Sequence, residues 1–518
     1  MEPKYIVALE IGSSKIKGAV GVYDSNNSLS IIAVEEERLT GDDLGGIVRY
    51  GLIQNVDKVA ESVERIHRRL EAAPAVAPRR INSVYAAIGG RSIFAIPVEI
   101  TRQFDEETRI TDEIVREIKN QARESNPTDK EIIEVVPRNY TVDGTATLTP
   151  VGMFGTSITA SLMLVTCKAS AIRNLYRAVE ERAALNINGT ILRPIAMADT
   201  VLTDDEKRLG SMMVDFGAET VSIAIYKGGV MVYLAVLPIG SRNITRDLMI
   251  LGNNTEERAD DLKRTAGNIE PTDPSKRQRN PEQLDYSNIN DIVSARAGEI
   301  ITNIIEQIKY AGLTPADLPS GIVVVGGGSK LKGFSSVLAT QSKLKVRMGT
   351  HSGLIRIADS RIQPDDALDL LAILAETVRE GNFDDCTEAP VDNGYIDTDP
   401  DDREWYNENP EDDETSRVGE DIPGFHQGIR DKKRREAERR RLEARRAQNE
   451  IENRKRKAER KAEAEKARLE GEYVFDDDNE DETSQNTDKP ERKAFFKRIG
   501  DKIKDLLSDE HVDDQYGE

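Results

Sequence analysis

Residues 5–22 read YIVALEIGSSKIKGAVGV, and a related stretch, MMVDFGAETVSIAIY, returns at residues 212–226. In each stretch an apolar run ends in an acid, a glycine follows two positions later, small hydroxyl residues come next, and a second apolar run begins. This order predicts a strand, a tight turn and a returning strand. Turn residues then lead each copy into a third run, at residues 29–34 and 230–237. Two equivalent three-stranded units predict two equivalent halves of one molecule.

The paired turns predict a phosphate-binding clamp. Glycine lets backbone N–H groups approach an anion closely, and Ser13, Ser14 and Thr220 can donate hydroxyls. Glu10 and Asp215, the acids that end the two strands, can hold the water shell of Mg²⁺. One copy alone is ordinary turn chemistry, whereas two copies in matching contexts favour a site.

A third glycine-rich turn follows the apolar run at residues 321–325. Gly326, Gly327 and Gly328 come directly after this predicted buried strand and before a helix. Such a turn suits close backbone approach to a ligand. A lone triple glycine is more often a loop than a site, but this one falls where the second half closes.

Composition limits the class of protein. The chain has 518 residues, a formal net charge of −21, two cysteines and four histidines. Two distant cysteines exclude a disulfide scaffold, and the histidines show no metal-ligand spacing. The low cysteine count predicts a reduced, cytosolic protein. No stretch of the sequence approaches eighteen consecutive apolar residues, so we expect any membrane contact to be peripheral. The net charge argues against general nucleic-acid binding.

Between the two copies the pattern changes. Residues 84–166 are rich in predicted strands around one predicted helix at 113–124, which indicates an α+β subdomain inserted into the first half. Apolar spacing predicts the remaining helices of the body, which cover residues 57–70, 171–184, 245–251, 256–266, 289–311 and 365–379.

The last quarter of the chain is highly charged. Residues 384–421 are acidic with few apolar residues, which predicts disorder. Residues 430–470 hold eighteen Lys or Arg and ten Asp or Glu. Their i, i+4 pairs favour a solvated helix, and a nucleic-acid-binding arm is the alternative interpretation.

A membrane-surface helix is predicted at residues 491–508. At about 100° per residue its large apolar side chains share one face. These are Phe495, Phe496, Ile499, Ile503, Leu506 and Leu507. Basic residues flank that face, among them Lys497, Arg498 and Lys502. An anionic bilayer favours this arrangement, and docking on a protein groove is the alternative.

Several segments together resemble the FtsA family of bacterial cell-division proteins, within the actin-like ATPase superfamily. They are RYGLIQN (49–55), EVVPRNYTVD (134–143), PVGMFG (150–155), VLTDDE (201–206) and the run at 321–328. The resemblance covers about residues 4–380. It implies an actin-like α/β fold of two duplicated halves around a cleft that binds ATP and Mg²⁺. It also implies assembly into filaments and attachment of the tubulin-like protein FtsZ to the inner face of the cell membrane at the division septum.

The resemblance suggests a division of the chain. Residues 1–83, 167–205 and 355–383 would form the first half, and 84–166 a subdomain particular to the family. Residues 206–354 would form the second half, with a helical subdomain at about 241–315. Residues 384–490 would be a charged linker to the predicted membrane helix at 491–508.

Site residues carry over by motif. The first phosphate loop would comprise Glu10, Gly12, Ser13, Ser14 and Lys15, and the second Asp215, Gly217, Glu219 and Thr220. Asp215 would be the candidate catalytic residue. Gly326, Gly327 and Gly328 would lie beside adenosine, with Glu257 and Lys263 as candidates for its base and ribose or, equally, an exposed helix pair. Arg296 and Glu299, in the segment IVSARAGEII at 292–301, would receive the FtsZ C-terminal peptide.

Two departures from the family bear on catalysis. Ala218 stands where many relatives have glycine, which restricts backbone approach to phosphate. The stretch RPIAMAD at 193–199 has no Glu or Gln where related ATPases position the attacking water, so we expect slow turnover or none.

Two other classes stay open at this point. A sugar or small-molecule kinase shares the duplicated hairpins but would need a base beside a second substrate pocket. Another actin-like scaffold, such as the pilus protein PilM, would explain the cleft and the insert but not a charged tail with an apolar end.

Overall fold

The structure is a computed structural model, and it describes residues 3–39, 46–124, 130–252, 254–270, 286–351, 355–358, 362–379, 381 and 383–389. These residues lie in the first of two units of the chain, Met1–Asn393, and the second unit is Gly394–Glu518. The predictions for the acidic segment beyond residue 389, the basic segment and the helix at 491–508 lie outside the described residues.

The amino-terminal region forms a meander, a helix and a further strand. Runs of buried residues in the first two strands of the meander and the apolar stripe of the helix place both in one core. The bounds are β1 (Lys4–Ile11), β2 (Lys15–Tyr23), β3 (Leu29–Arg38), β4 (Val48–Arg49), β5 (Leu52–Ile53), α1 (Val56–Ala72), β6 (Arg80–Ile81) and β7 (Ser83–Ile88).

The insert follows, with one helix on a sheet of long strands. Its bounds are β8 (Phe94–Arg109), α2 (Asp112–Glu124), β9 (Glu131–Val142), β10 (Thr145–Thr147) and β11 (Phe154–Cys167). A separate cluster of buried residues between α2 and the sheet, including Ile110, Ile118 and Leu162, gives the insert its own core.

The rest of the first unit completes the first half and builds the second. Its helices are α3 (Ala169–Tyr176, continued by a π-helical segment Arg177–Arg182), α4 (Arg193–Val201), α5 (Asp204–Leu209), α6 (Ser241–Ile250), α7 (Glu256–Thr265), α8 (Tyr286–Tyr310), α9 (Phe334–Ser342) and α10 (Leu368–Arg379). Its strands are β12 (Asn186–Leu192), β13 (Ser211–Phe216), β14 (Val221–Lys227), β15 (Val230–Leu237), β16 (Ile322–Val325), β17 (Val346–Met348), β18 (Ile355–Ile357) and β19 (Thr387–Glu388).

The two halves share one sheet topology. In the first, the order β12-β7-β1-β2-β3 joins a meander to two parallel strands, and β18 extends the edge. In the second, β17-β16-β13-β14-β15 repeats the same arrangement. The duplication read from the two hairpins therefore extends to whole sheets.

Helices α4 and α10 lie between the two sheets. Helix α10 packs on the first sheet, α4 packs on the second, and the two helices pack on each other. Helix α1 covers the other face of the first sheet, while α6, α8 and α9 cover the other face of the second. Because both inner faces are apolar, one hydrophobic core runs through both halves.

The insert is continuous with the second sheet. Strand β8 pairs with β15 at Phe94 and Ala235, so the strands β10-β9-β11-β8 extend the sheet of the second half. In the sequence the insert interrupts the first half, but its strand β8 is hydrogen-bonded to a strand of the second half.

Some helix bounds differ from those that the sequence predicts. Helix α6 begins at Ser241 rather than at residue 245, because the Asn243 side chain accepts a hydrogen bond from the Gly240 N–H at 2.9 Å and caps the helix earlier. Helix α10 begins at Leu368 rather than at 365, because Pro364 opens a 3₁₀ turn.

Candidate functional site

The two hairpin turns have the same geometry. The Gly12 N–H donates to the Lys15 carbonyl at 2.9 Å, and the Gly217 N–H donates to the Thr220 carbonyl at 2.9 Å. A Cβ at Gly12 would lie 3.0 Å from the Lys15 oxygen, and one at Gly217 would lie 3.1 Å from the Thr220 oxygen. Both turns therefore favour glycine, and both stand at the carboxyl ends of parallel strands, where α/β sheets bind ligands.

Beneath the turns lies a buried cluster of charged side chains. The guanidinium of Arg193, the first residue of α4, has Nη1 2.9 Å from Asp215 Oδ2 and Nε 3.6 Å from Glu10 Oε1. Lys17 Nζ lies 2.8 Å from Asp369 Oδ2, beside them. Asp215 is 1% exposed and Glu10 is 6% exposed. Three carboxylates and two cations thus share one poorly solvated volume.

Burial governs how these acids titrate. Burial raises the pKa of the Glu10 carboxyl to about 7, with Arg193 and Lys17 opposing the rise. Burial also raises the pKa of Asp215, against the pull of Arg193. For Asp369 burial acts in the same direction, but Lys17 and Arg193 together hold its pKa below the ordinary value.

The resemblance to the family implies an Mg²⁺ ion between the two loops. The side chains around the loops show whether such an ion would fit there. A hydrated divalent ion held by Glu10 and Asp215 needs the volume between their carboxylates. The Arg193 guanidinium occupies that volume and contacts both acids. The arrangement therefore does not fit a metal at this position while Arg193 holds its place.

A small hairpin, β4 and β5, ties the two turns together. Its turn residues Tyr50 and Gly51 have φ of 51° and 73°. The Tyr50 N–H donates to Glu219 Oε2 at 2.7 Å, and the Gly51 N–H donates to Ser13 Oγ at 2.9 Å. A Cβ at Gly51 would lie 2.6 Å from the Cα of Gly90, so only glycine fits.

Two arginines of α6 complete this tie. Arg246 Nη2 donates to Glu219 Oε1 at 2.9 Å. Arg242 Nη1 donates to the Ser13 carbonyl at 3.2 Å and lies 3.4 Å from Glu219 Oε1. Arg242 therefore contacts both phosphate-loop candidates, one from each half. Glu219 itself is buried and bonded on both oxygens.

The triple-glycine turn backs onto the second hairpin. A Cβ at Gly326 would lie 2.6 Å from Asp215 Oδ1, and one at Gly328 would lie 2.6 Å from the Phe216 ring. At Gly327 a Cβ would have no heavy atom within 4 Å among the described residues. The structure thus brings Gly326 and Gly328 to Asp215 and Phe216 and leaves Gly327 facing open space.

The other predicted contacts for a nucleotide lie further out or are engaged elsewhere. Lys15 Nζ pairs with Glu36 at 2.7 Å on the neighbouring strand. Lys263 Nζ donates to Thr245 Oγ1 at 2.8 Å and pairs with Asp260 at 2.7 Å. Glu257 is exposed on α7, while Ser14 and Thr220 are half-buried in their turns.

The predicted FtsZ-binding pair lies on α8. Arg296 makes a two-pronged contact with Asp247 of α6, at 2.6 and 3.1 Å, and an ion pair with Glu299. The Glu299 side chain is 53% exposed. Helix packing therefore holds Arg296 in place and presents Glu299 to solvent.

Reasoning from the sequence missed several members of the site. Arg193 lies in a stretch that the sequence marks only by its lack of Glu or Gln, and neither Lys17 nor Asp369 is among the predicted site residues. A signal for Lys17 was present, because hairpin register places it directly opposite Glu10. Arg242 had no such local signal.

None of the described helices is long and apolar enough to cross a membrane. Across all the described residues, no group of three or more His, Cys, Asp or Glu is placed to hold a metal ion. Cys167 and Cys386 are both free and buried.

Comparisons with known proteins name the family. A family model described as "Cell division protein FtsA" matches residues 212–364, and one described as "SHS2 domain inserted in FTSA" matches residues 90–166. The chain is 28% identical to the cell division protein FtsA of Pseudomonas aeruginosa, over 67% of this chain and 83% of that protein. It is 28% identical to FtsA of Porphyromonas gingivalis, over 66% of this chain and 72% of that protein.

A solved structure supports the fold. The chain matches one described as "PilM-PilN type IV pilus biogenesis complex" with a TM-score of 0.51 and 18% identity, over 71% of this chain and 98% of that one. The fold is therefore actin-like, with the SHS2 insert in the first half. On these grounds the chain is similar to the FtsA family of cell-division proteins, over both the insert and the second half.

Proposed function

We propose that this chain binds ATP in the cleft between its two halves, assembles with copies of itself, and attaches FtsZ filaments to the inner face of the cytoplasmic membrane. The observation that carries the proposal is the meeting of two glycine turns with the same hydrogen bond, one from each half, at the carboxyl ends of parallel strands. A ligand held there contacts both halves, so its binding couples to their relative position.

The electrostatics of the cleft support a polyphosphate ligand. Arg242 contacts both turns and Arg193 lies beneath them, so cations face the place where phosphate oxygens would lie. Guanidinium groups are well suited to such oxygens because they donate several hydrogen bonds in one plane. Open space at Gly327 leaves backbone accessible on the side that the family gives to adenosine.

Slow turnover is part of the proposal. Helix α4 begins with Arg193 and Pro194 at the end of β12, where the family expects a side chain that orients water. A guanidinium cannot accept a proton from water and so cannot serve as the general base. We expect ATP to act chiefly as a ligand that sets the conformation for assembly.

The FtsZ site would be the exposed face of α8 around Glu299. Because Asp247 fixes Arg296, the pair presents a rigid arrangement of one cation and one anion to a peptide. A pilus-type scaffold explains the fold equally well, but it does not explain matches to two FtsA family models.

The experiment is peptide binding with charge-reversed variants. We expect Glu299→Lys to weaken binding of the FtsZ C-terminal peptide by about tenfold, as the loss of one well-placed ion pair would. Arg296→Glu is a less clean probe because it also removes the contact with Asp247. Glu306→Lys is the matched control, since Glu306 lies on the same helix and pairs with Lys309 three residues on. Equal affinity for Glu299→Lys and the control would place the site elsewhere.

A further inference from the structure

Glu10 and Asp215 hold equivalent positions, and a positive charge nearby stabilises the ionised form of each. Each is the last residue but one of the first strand of a hairpin, two residues before the turn glycine, and each is buried. Two carboxylates brought to one poorly solvated place repel each other strongly unless a cation lies between them. In this cleft a side chain of the protein itself supplies the cation.

Arg193 supplies this positive charge, and the packing of its helix holds the guanidinium between the two carboxylates. Its guanidinium reaches Asp215 at 2.9 Å and Glu10 at 3.6 Å, and its side chain is 17% exposed. It is the first residue of α4, which is packed between the two sheets, so its Cα cannot move without moving the middle of the molecule. Lys17, opposite Glu10 in the hairpin, forms a second ion pair with Asp369 alongside, so Arg193 is the cation that contacts both Glu10 and Asp215.

We propose that Arg193 is the resident cation of this cleft and replaces the divalent metal, so that nucleotide binds without Mg²⁺. The inference deepens the nucleotide part of the proposed function. A guanidinium and a hydrated divalent ion cannot share the volume between the two carboxylates, and the guanidinium is already covalently in place. It supplies one positive charge that does not depend on the concentration of free metal.

The first test measures the metal alone. Full-length protein, stripped with chelator, is titrated with Mn²⁺ and the free ion is followed by electron paramagnetic resonance. We expect no stoichiometric Mn²⁺ site in the wild-type protein. Arg193→Gln frees the two carboxylates and should gain one site with an affinity at least about tenfold above background. The double variant Arg193→Gln with Asp215→Asn should lose it. Arg347→Gln is the matched control, because it removes an ion pair with Glu206 outside the cleft floor.

The second test measures ATP affinity by calorimetry in Mg²⁺ and in chelator. Wild-type affinity should agree within about twofold in the two conditions, whereas Arg193→Gln should need metal for tight binding. No ATP binding in either condition would count against the proposed nucleotide function, and the Mn²⁺ titration would still decide the role of Arg193.

Three results would overturn the inference. One is a stoichiometric Mn²⁺ site in the wild-type protein that Asp215→Asn removes, and another is wild-type ATP binding that chelator abolishes. The third is an Arg193→Gln variant that folds yet gains no metal site, since Arg193 would then be only a structural ion-pair partner. If Arg193→Gln does not fold, Arg193→Lys retains a cation and the two wild-type measurements decide the question.

Discussion

Gly327 is the position in the triple-glycine turn where an added side chain should affect ligand binding without affecting the stability of the fold. A Cβ there has no heavy atom within 4 Å among the described residues, while one at Gly328 would lie 2.6 Å from the Phe216 ring. We expect Gly327→Val to weaken ATP binding by about tenfold or more, because the added side chain fills space that adenosine would use. Calorimetry measures the affinity, and the melting temperature should stay close to that of the wild-type protein.

Gly298→Val is the matched control for that substitution. Gly298 lies on α8, and a Cβ there also meets nothing within 4 Å in the described part of the chain. It should leave ATP affinity unchanged. Unaltered affinity in Gly327→Val as well would remove the triple-glycine turn from the site.

Glu219 shows how one residue of the second turn holds the two halves together. It is 2% exposed and accepts hydrogen bonds from the Tyr50 N–H of the first half and from Arg246 of the second. We expect Glu219→Ala to lower the free energy of unfolding by about 3 kcal/mol, because it leaves a buried N–H and a guanidinium without their partner. Urea unfolding monitored by circular dichroism measures the loss.

Glu36→Ala provides the comparison. Glu36 pairs with Lys15 but is 43% exposed, so its loss should cost no more than about 0.5 kcal/mol. Equal effects of the two substitutions would mean that Glu219 is not a tie between the halves.

At the scale of elements, the short helix α5 depends on one carboxylate for two functions. Thr203 caps the helix by accepting a hydrogen bond from the Glu206 N–H, and the Glu206 side chain bonds back to the Thr203 N–H. The same carboxylate accepts hydrogen bonds from Arg347 on β17, at 2.7 Å from both Nε and Nη2. One side chain therefore both starts the helix and fastens it to the neighbouring sheet.

This arrangement predicts a pH dependence of stability. The hydrogen bonds from Arg347 lower the pKa of Glu206 below its ordinary value of 4.5, even though partial burial acts in the opposite direction. A depressed pKa in the folded state gives stability that is present above the unfolded pKa and is lost as pH falls through the folded pKa. We expect Glu206→Gln to cost about 1 kcal/mol at pH 7 and progressively less below pH 4.5.

Urea unfolding of both proteins at neutral and acid pH measures that difference. Arg208→Gln is a suitable control, because Arg208 lies on the same helix and its pair with Asp205 is largely exposed. A difference between the wild-type protein and Glu206→Gln that stays constant with pH would show that the carboxylate charge does not stabilise this contact.

For the whole molecule, the proposal depends on coupling between a folded body and a weakly binding tail. One amphipathic helix gives only modest membrane affinity, because ordering its backbone offsets much of the apolar burial. Firm attachment then requires many tails on one polymer, so ATP-dependent assembly would control membrane binding through multivalency.

The membrane prediction follows from the apolar face at 491–508. We expect Phe496→Glu, or deletion from Arg492 onward, to release the protein from anionic liposomes in flotation assays while ATP binding is unchanged. Asn486→Glu adds the same charge outside the predicted helix and should still float. If the deleted protein floats with liposomes, the segment docks on a partner instead.

The sequence by itself determined the duplicated hairpins, the strand before the triple glycine and the insert as a region of different pattern. These depend on local causes, since a glycine turn, an alternating strand or an apolar helical stripe is encoded by neighbouring residues. The resemblance to the family, which the comparisons confirmed, also depends on short contiguous motifs. The helix starts predicted from the sequence were less accurate, because capping residues such as Asn243 act through a single hydrogen bond.

Only the tertiary structure decided which charges meet. Arg193 lies between Glu10 and Asp215 because β12 ends beside β7 and the next residue begins a helix between two sheets. Tyr50 reaches Glu219 because a small hairpin crosses from one half to the other. These partners are far apart in the chain, and nothing in the residue types around Arg193 distinguishes a surface arginine from a buried counter-ion. The charge balance of the cleft is therefore a property of packing, since burial and distance together determine how strongly two charges interact.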